Sequence, residues 1–364
     1  MTLQLTNLPK IASKRFWPLF VVLWTIAFIP CLAAEETYDS SRDATPSIPP
    51  SPTIVTTEQA PVGSTVSNYA VRSPCDPDYW IVSTRHGRCE VESGQPCQFQ
   101  VFRFDGPNPA RETGLDELLS SLEPGVPVCI MSHGSFVTWD SMLNDSAHTY
   151  RWLRSASTCA KAHFIFYTWA SEDGHCLPHI RVNALGRRAS LNGFYLADLI
   201  TKISPDHPIC LIGHSHGTRI VASALHTMAG GILEGKVLAC NGQLPRRIRV
   251  VFAAAALDHD WLNPDERYGR SLCSAEAVIN LTNKYDFPLW FYPLRRPFSS
   301  RALAITGITS SDRSKLGGLN QKIVNCEVSE LVNFGHIWAH YYRQPDIATA
   351  IRPYVYFDDV NAPQ

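Results

Sequence analysis

The chain has 364 residues, of which 45% are apolar and 18% are charged, and its formal net charge at pH 7 is −1. This composition is typical of a globular protein with a sizeable core, built as one large domain or two ordinary ones. Without a basic excess, a nucleic acid is a poor candidate partner, and the sequence contains no internal repeat and no glycine-rich phosphate loop.

The N-terminus has the features of an export signal or a membrane anchor. Lys10, Lys14 and Arg15 precede the uncharged run Phe16–Ala34, FWPLFVVLWTIAFIPCLAA. Its 19 residues (16 to 34) are just long enough to span a bilayer. The small residues at its end also permit cleavage as a signal peptide. Because positive residues stay inside, both interpretations place the rest of the chain outside the cytoplasm: periplasmic, extracellular or anchored to a membrane.

A linker is predicted between this segment and the folded part. Residues 35–72 are rich in Ser, Thr and Pro and poor in large apolar side chains, as in SSRDATPSIPPSPTIVTTEQ. Such a stretch cannot bury enough surface to offset its chain entropy, so we expect it to be disordered. The predicted organisation is therefore a signal or anchor over 1–34, a linker over 35–72 and one folded domain over 73–364.

The cysteine content is consistent with an oxidising compartment, since the chain has 11 cysteines. Cys75, Cys89 and Cys97 cluster near the start of the folded part, where disulfides are plausible, but their pairing cannot be read from the sequence. Cys129 and Cys210 lie inside apolar runs, where we expect small buried side chains.

Alternating strands and helices are predicted from residue 73 onwards. Apolar runs predict strands at residues 78–84, 97–104, 127–133, 163–169, 208–214, 248–257, 277–282 and 325–332. Helical spacing of apolar residues predicts helices within 189–203 and after Gly217. Continuous apolar strands separated by helices indicate an α/β fold, with a mostly parallel sheet and helices on both faces. Only about twenty residues separate the sixth and seventh of these strands, too few for a large lid domain.

The strand over 208–214 leads into Gly213-His214-Ser215-His216-Gly217, which fits the pattern G-x-S-x-G. In a parallel sheet, chemistry is concentrated at the carboxyl ends of the strands, and a serine between strand and helix there occupies a sharp, strained turn. Glycines two residues to either side avoid collisions with the neighbouring strand and helix. The helix N-terminus favours developing negative charge. We predict that Ser215 is a nucleophile; the alternative is a glycine-rich turn used only for packing.

This stretch and two others resemble the α/β-hydrolase fold family, from about residue 127 to the C-terminus. CLIGHSHGTRI is similar to the nucleophile elbow, and IMSHGSF, residues 130–136, to the His-Gly segment after the third strand. FYTWASE, residues 166–172, is similar to the W-P-S segment of a poorly characterised bacterial branch, in which proline stands where this chain has Ala170. The resemblance implies a serine hydrolase that needs no metal or organic cofactor.

The family's chain order of serine, acid and histidine implies the partners of Ser215. His336 follows the last predicted strand, where the family has its base, and Asp286 follows the strand before, the usual position of the acid. A serine hydroxyl needs a base to take its proton, and the acid holds the tautomer of that base. The alternatives are His340 as the base and Asp258 or Asp260 as the acid.

The resemblance also implies an oxyanion hole made of two backbone amides. One belongs to His216, directly after the nucleophile, and the other to Ser135 or else Phe136. His336 and His340 additionally have the i, i+4 spacing of a metal-binding pair. Ile337 stands where a zinc protease would have glutamate, which argues against a metal site.

We therefore expect an exported serine hydrolase that cleaves carboxylic esters through an acyl-enzyme. Its partner would be a small-molecule ester or acyl compound, with membrane attachment through Phe16–Ala34 if that segment is retained. Two alternatives remain open at the level of sequence. One is an amide or thioester hydrolase with the same triad, and the other is a non-catalytic binding or scaffold protein on a hydrolase fold.

Overall fold

The fold is described from a computed structural model, which defines residues 78–86, 98–106, 110–157, 159–172, 177–238, 246–296 and 298–358. All of them belong to one compact unit, Val71–Gln364. The predicted signal or anchor, the linker and Cys75, Cys89 and Cys97 lie outside these residues. Across the defined ranges, no helix combines the length and apolar character needed to cross a membrane.

The centre of the domain is one nine-stranded sheet. Its strands are β1 (Asp78–Ser83), β2 (Gln100–Asp105), β3 (Arg111–Thr113), β4 (Val128–Ser132), β5 (His163–Thr168), β6 (Ile209–His214), β7 (Ile248–Ala253), β8 (Ala277–Thr282) and β9 (Ile323–Glu327). Their order is β3-β2-β1-β5-β4-β6-β7-β8-β9. In the part of the sheet with the order β1-β5-β4-β6-β7-β8-β9, neighbouring strands pair in parallel. At the other edge, β2 pairs antiparallel with both β1 and β3. The predicted α/β class with a mostly parallel sheet is confirmed.

Helices lie between the strands from β3 onwards and after the last strand. They are α1 (Leu115–Ser121), α2 (Trp139–Ser155), α3 (Pro178–Lys202), α4 (Gly217–Met228), α5 (Ser271–Ser274), α6 (Phe287–Trp290), α7 (Leu303–Thr306), α8 (Ser310–Leu316), α9 (Ser329–Val332), α10 (Ala339–Tyr342) and α11 (Pro345–Tyr356). Two 3₁₀ segments, Tyr292–Arg295 and Gly317–Lys322, lie between β8 and β9. The connection from β7 to β8 contains only α5, in agreement with the absence of a lid predicted there.

Both faces of the sheet are covered by helices, as side chains of β5 show. Phe164 contacts the rings of Tyr150 on α2 and Tyr356 on α11. Tyr167, three positions further along, lies 3.2 Å from Asn192 on α3. Residues an odd number apart on a strand point to opposite faces, so α2 and α11 cover one face and α3 the other. This two-sided burial explains why the central strands read as uninterrupted apolar runs.

Two strands end earlier than their apolar runs predicted. The run over 248–257 leaves the sheet after Ala253, because Ala254 has a positive φ of 46° that bends the chain. The run over 325–332 is strand only to Glu327, which pairs with Thr282 at the end of β8. Beyond that point no partner strand continues, and the remaining residues form α9 instead.

Candidate active site

Ser215 lies in a tight turn between β6 and α4. Its φ is 52°, a left-handed conformation that is uncommon for a residue with a side chain. A Cβ on Gly217 would lie 2.2 Å from the carbonyl oxygen of Ser132 on β4, and one on Gly213 would lie 2.7 Å from the Cα of Thr218. The two glycines therefore let the turn pack between strand β4 and helix α4, which is the reason the sequence suggested for them.

A continuous hydrogen-bonded relay joins Ser215 to two of the predicted residues. The Ser215 hydroxyl oxygen lies 3.0 Å from Nε2 of His336. On the other side of the ring, Nδ1 of His336 lies 2.8 Å and 3.0 Å from the two carboxylate oxygens of Asp286. With the proton on Nδ1, the imidazole donates to the carboxylate and accepts from the serine. This tautomer can take the proton of a nucleophilic hydroxyl.

Asp286 is fixed by its own surroundings. It follows β8, is fully buried, and begins helix α6. One of its oxygens also accepts a hydrogen bond of 3.1 Å from the backbone N–H of Leu289. A buried carboxylate that accepts hydrogen bonds from a helix N-terminus and from an imidazole holds the ring in place.

The alternative acids lie in other contacts. Asp258 is buried and accepts from the guanidinium groups of Arg295 and Arg296 and from the Tyr292 hydroxyl. Asp260 accepts a 2.9 Å hydrogen bond from the hydroxyl of Ser300. Neither carboxylate is hydrogen-bonded to a histidine within the described ranges. Both therefore hold neighbouring side chains and are not part of the relay.

His340, the alternative base, lies behind the loop that carries His336. A Cβ on Gly335 would lie 2.3 Å from Nδ1 of His340, so the ring packs directly against that loop. Nδ1 of His340 is buried without a hydrogen-bond partner among the residues defined here. Both ring nitrogens of His336 are already engaged by Ser215 and Asp286. The pair therefore does not act as two free ligands at i and i+4, as a metal site would require.

The two backbone amides predicted for an oxyanion hole, those of Ser135 and His216, lie in the loop after β4 and at the start of α4. The Ser135 hydroxyl lies 2.6 Å from Nδ1 of His216, which ties the loop after β4 to the start of α4. The N–H of Phe136 donates to the carbonyl of Ser171 at 2.8 Å and is not available. The N–H groups of Ser135 and His216 donate no hydrogen bond to any other described residue. Two unused N–H donors beside a serine can stabilise an oxyanion.

His214 holds the loop that carries His336, a role that the sequence analysis did not assign. Its Nε2 donates a 2.7 Å hydrogen bond to the backbone carbonyl of His336. Burial, followed by the nearby His336, lowers the pKa of His214 to about 3, so the ring is neutral. A Cβ on Gly134 would lie 2.9 Å from the Ser215 Cβ and 3.1 Å from Nδ1 of His214. The ring thus contacts both the loop after β4, through Gly134, and the loop that carries His336.

Asn283 is a second residue that sequence reasoning missed. Its side-chain amide donates to the carbonyls of Asn333 and Gly335, at 2.8 Å and 3.3 Å, just before the base. It thereby ties the loop after β8 to the loop after β9. The only sequence signal was its position, three residues before Asp286 at the end of a strand.

The histidines that flank the relay are neutral. Burial lowers the pKa of His133 to about 3, and its ring stacks on Trp169. Burial, and next the charge of Arg219, hold the pKa of His216 well below its usual value. The neutral rings of His133, His214 and His216 therefore add no charge to the site.

Comparison of the chain with family models, with curated proteins and with solved structures found no match. The interpretation of the site therefore depends on its own geometry.

Proposed function

We propose that this protein is an exported serine hydrolase of the α/β-hydrolase fold that cleaves carboxylic esters. The observation that carries the proposal is the relay from the Ser215 hydroxyl through His336 to Asp286, with contacts of 3.0 Å and 2.8 Å. The nine-stranded, mostly parallel sheet is compatible with that fold. Export is supported by the uncharged segment Phe16–Ala34 after three basic residues.

The chemistry proceeds through an acyl-enzyme. The Ser215 oxygen attacks the ester carbonyl carbon while its proton passes to Nε2 of His336, and Asp286 stabilises the resulting imidazolium. The negative oxygen of the tetrahedral intermediate accepts from the N–H groups of His216 and Ser135. The bond to the alcohol then breaks, and His336 returns its proton to the leaving alkoxide. Water, deprotonated by His336, repeats the sequence to release the acid.

A fluorophosphonate probe tests this proposal, because it phosphonylates only an activated serine. We expect labelling of the full-length protein at Ser215, and its loss in Ser215→Ala. Ser141→Ala is the matched control, since Ser141 lies at the start of α2 outside the relay, and it should be labelled as the wild type. A folded protein that is not labelled would favour the non-catalytic scaffold. A panel of nitrophenyl esters, thioesters and peptide anilides distinguishes ester cleavage from the other acyl transfers.

A further inference from the structure

Exposed apolar side chains are concentrated around the proposed active site. Of the eleven large apolar residues exposed in the described ranges, nine lie on segments that follow the carboxyl ends of β4, β5, β8 and β9. The other two, Ile232 and Val237, follow α4. Scattered exposed apolar residues are ordinary, but their concentration around one site marks an interaction surface. We define the apolar rim as six of the nine: Phe136, Ile180, Phe287, Trp290, Phe334 and Ile337.

On one side, the apolar rim follows the loops that carry Asp286 and His336. Phe287 directly follows Asp286, and its ring centroid lies 6.2 Å from that of Trp290. Phe334 precedes His336 by two positions, and its ring centroid lies 6.0 Å from that of Tyr285. Phe334 is 66% exposed, although a ring of this size is normally buried. The exposed aromatic groups thus border the acid and base of the relay directly.

On the other side, the apolar rim continues through α3 to the loop after β4, which carries Ser135 and Phe136. The side-chain amide of Asn183 on α3 donates a 2.7 Å hydrogen bond to the carbonyl of Arg295, which joins α3 to the segment after α6. The guanidinium of Arg181, next to Ile180, lies 4.7 Å from the centre of the Phe136 ring. Phe136 follows Ser135, so the rim has members on every loop that contributes to the relay or the oxyanion hole except the elbow itself.

Cationic groups accompany the rim on the α3 side. No carboxylate in the described ranges lies within ion-pair distance of Arg181. Arg295 and Arg296 share the single carboxylate of Asp258, and the Arg296 side chain is 46% exposed. Among the described residues, the positive charge of Arg181 and Arg296 on this side of the rim is therefore only partly neutralised, which is complementary to an anionic surface.

We infer that the apolar rim docks the domain onto an anionic lipid surface, and that Ser215 cleaves an acyl lipid taken from that surface. This inference rests on the proposed function. A protein partner or a second copy seated on a rim around the site would cover Ser215, whereas a surface made of substrate brings the ester to it. Trp and Phe side chains partition into the interface between water and acyl chains, and arginines attract anionic headgroups.

The test compares a dissolved ester with one held in vesicles, using the full-length protein. The substrates are p-nitrophenyl butyrate in solution and p-nitrophenyl palmitate in vesicles of phosphatidylcholine with phosphatidylglycerol. The rim variant is Ile180→Ser/Trp290→Ser/Phe334→Ser, with one change on each of three segments. The control is Ile232→Ser/Val237→Ser, which removes two exposed apolar residues that follow α4 and are not members of the rim.

We expect the rim variant to lose at least tenfold in turnover of the vesicle-borne ester and to stay within about twofold of wild type on the dissolved ester. The control should match wild type on both. Because residues 16–34 are the same in all variants, tethering by that segment cannot produce the difference. Equal turnover of the vesicle-borne ester by the rim variant and wild type, with Ser215 still labelled by fluorophosphonate, overturns lipid docking and leaves the proposed function intact.

Two further measurements address the lipid contact without catalysis. In a Ser215→Ala background, brominated phosphatidylcholine mixed with phosphatidylglycerol should quench part of the tryptophan fluorescence, and Trp290→Phe should lower the quenched fraction. Arg181→Gln should reduce the gain in vesicle turnover that phosphatidylglycerol gives over phosphatidylcholine alone, because Arg181 is one of the cations on the α3 side of the rim. An unchanged quenched fraction in Trp290→Phe would show that the rim does not touch the lipid and would overturn the inference.

Discussion

Replacing Asp286 with asparagine tests the relay at its most buried member. The carboxylate faces two donors, Nδ1–H of His336 and the N–H of Leu289, and both of its oxygens are accepting. An amide of the same shape has only one accepting oxygen. If that oxygen stays on Leu289, the NH₂ group faces His336 and forces the proton from Nδ1 to Nε2. His336 can then no longer accept the proton of Ser215.

The opposite orientation of the amide keeps the tautomer but places an NH₂ group against the Leu289 N–H. This loses the cap of helix α6, which costs about 1 kcal/mol. Moving the proton of a neutral imidazole avoids that loss, so the inactive tautomer should dominate. We expect kcat to fall about 10³- to 10⁴-fold, equivalent to about 4–5.5 kcal/mol of barrier, with little change in KM.

Steady-state hydrolysis of p-nitrophenyl butyrate measures the effect, with circular dichroism to establish that each variant is folded. Asp260→Asn is the matched control, since Ser300 is the only described side chain hydrogen-bonded to Asp260, and the variant should keep its activity. Asp258→Asn should lower stability, because the carboxylate of Asp258 neutralises two arginines. If Asp286→Asn kept more than a tenth of wild-type kcat while Asp260→Asn lost activity, the assignment of the acid would be refuted.

Gly217→Ala should lower the free energy of unfolding by about 3 kcal/mol or more, because its Cβ would lie 2.2 Å from the Ser132 carbonyl oxygen. Gly318→Ala is the control and should change thermal stability little, since a Cβ there meets open space. Equal melting temperatures of the two variants would contradict this prediction. His214→Phe removes the donor to the His336 carbonyl and should lower kcat/KM about tenfold. His214→Gln, which keeps a donor, should lose less. Equal losses in the two variants would argue against positioning of His336 by this hydrogen bond. Between pH 6.5 and 3 the unfolded chain protonates His214 and the folded protein does not, so stability should rise with pH in that window. Urea unfolding at pH 4, 5 and 6 should show a slope smaller by about 1.4 kcal/mol per pH unit in His214→Gln, whereas an unchanged slope would mean that this ring is not buried neutral.

The local part of the fold and site was readable from the sequence. The central strands are apolar on both faces because helices cover both, so their runs located β4 to β8 to within a few residues. The elbow was readable for a similar reason: the steric requirement at Gly213 and Gly217 arises from backbone atoms close by, and it constrains residue type directly. Where an apolar run outlasted its partner strand, as after Glu327, the sequence could not show the end of pairing.

The sequence left Asp258, Asp260 and Asp286 open as the acid. Each follows a strand, and the residues next to each one do not indicate which loop turns toward Ser215. Only the tertiary structure brought Asp286 to His336, fifty positions away along the chain, and gave Asp258 to two arginines. The contacts of His214 and of Asn283, and the apolar rim, were likewise decided only by the tertiary structure. They depend on where separate loops meet in space, and a hydrogen bond or an exposed surface formed by distant segments leaves no periodic signal in any one of them.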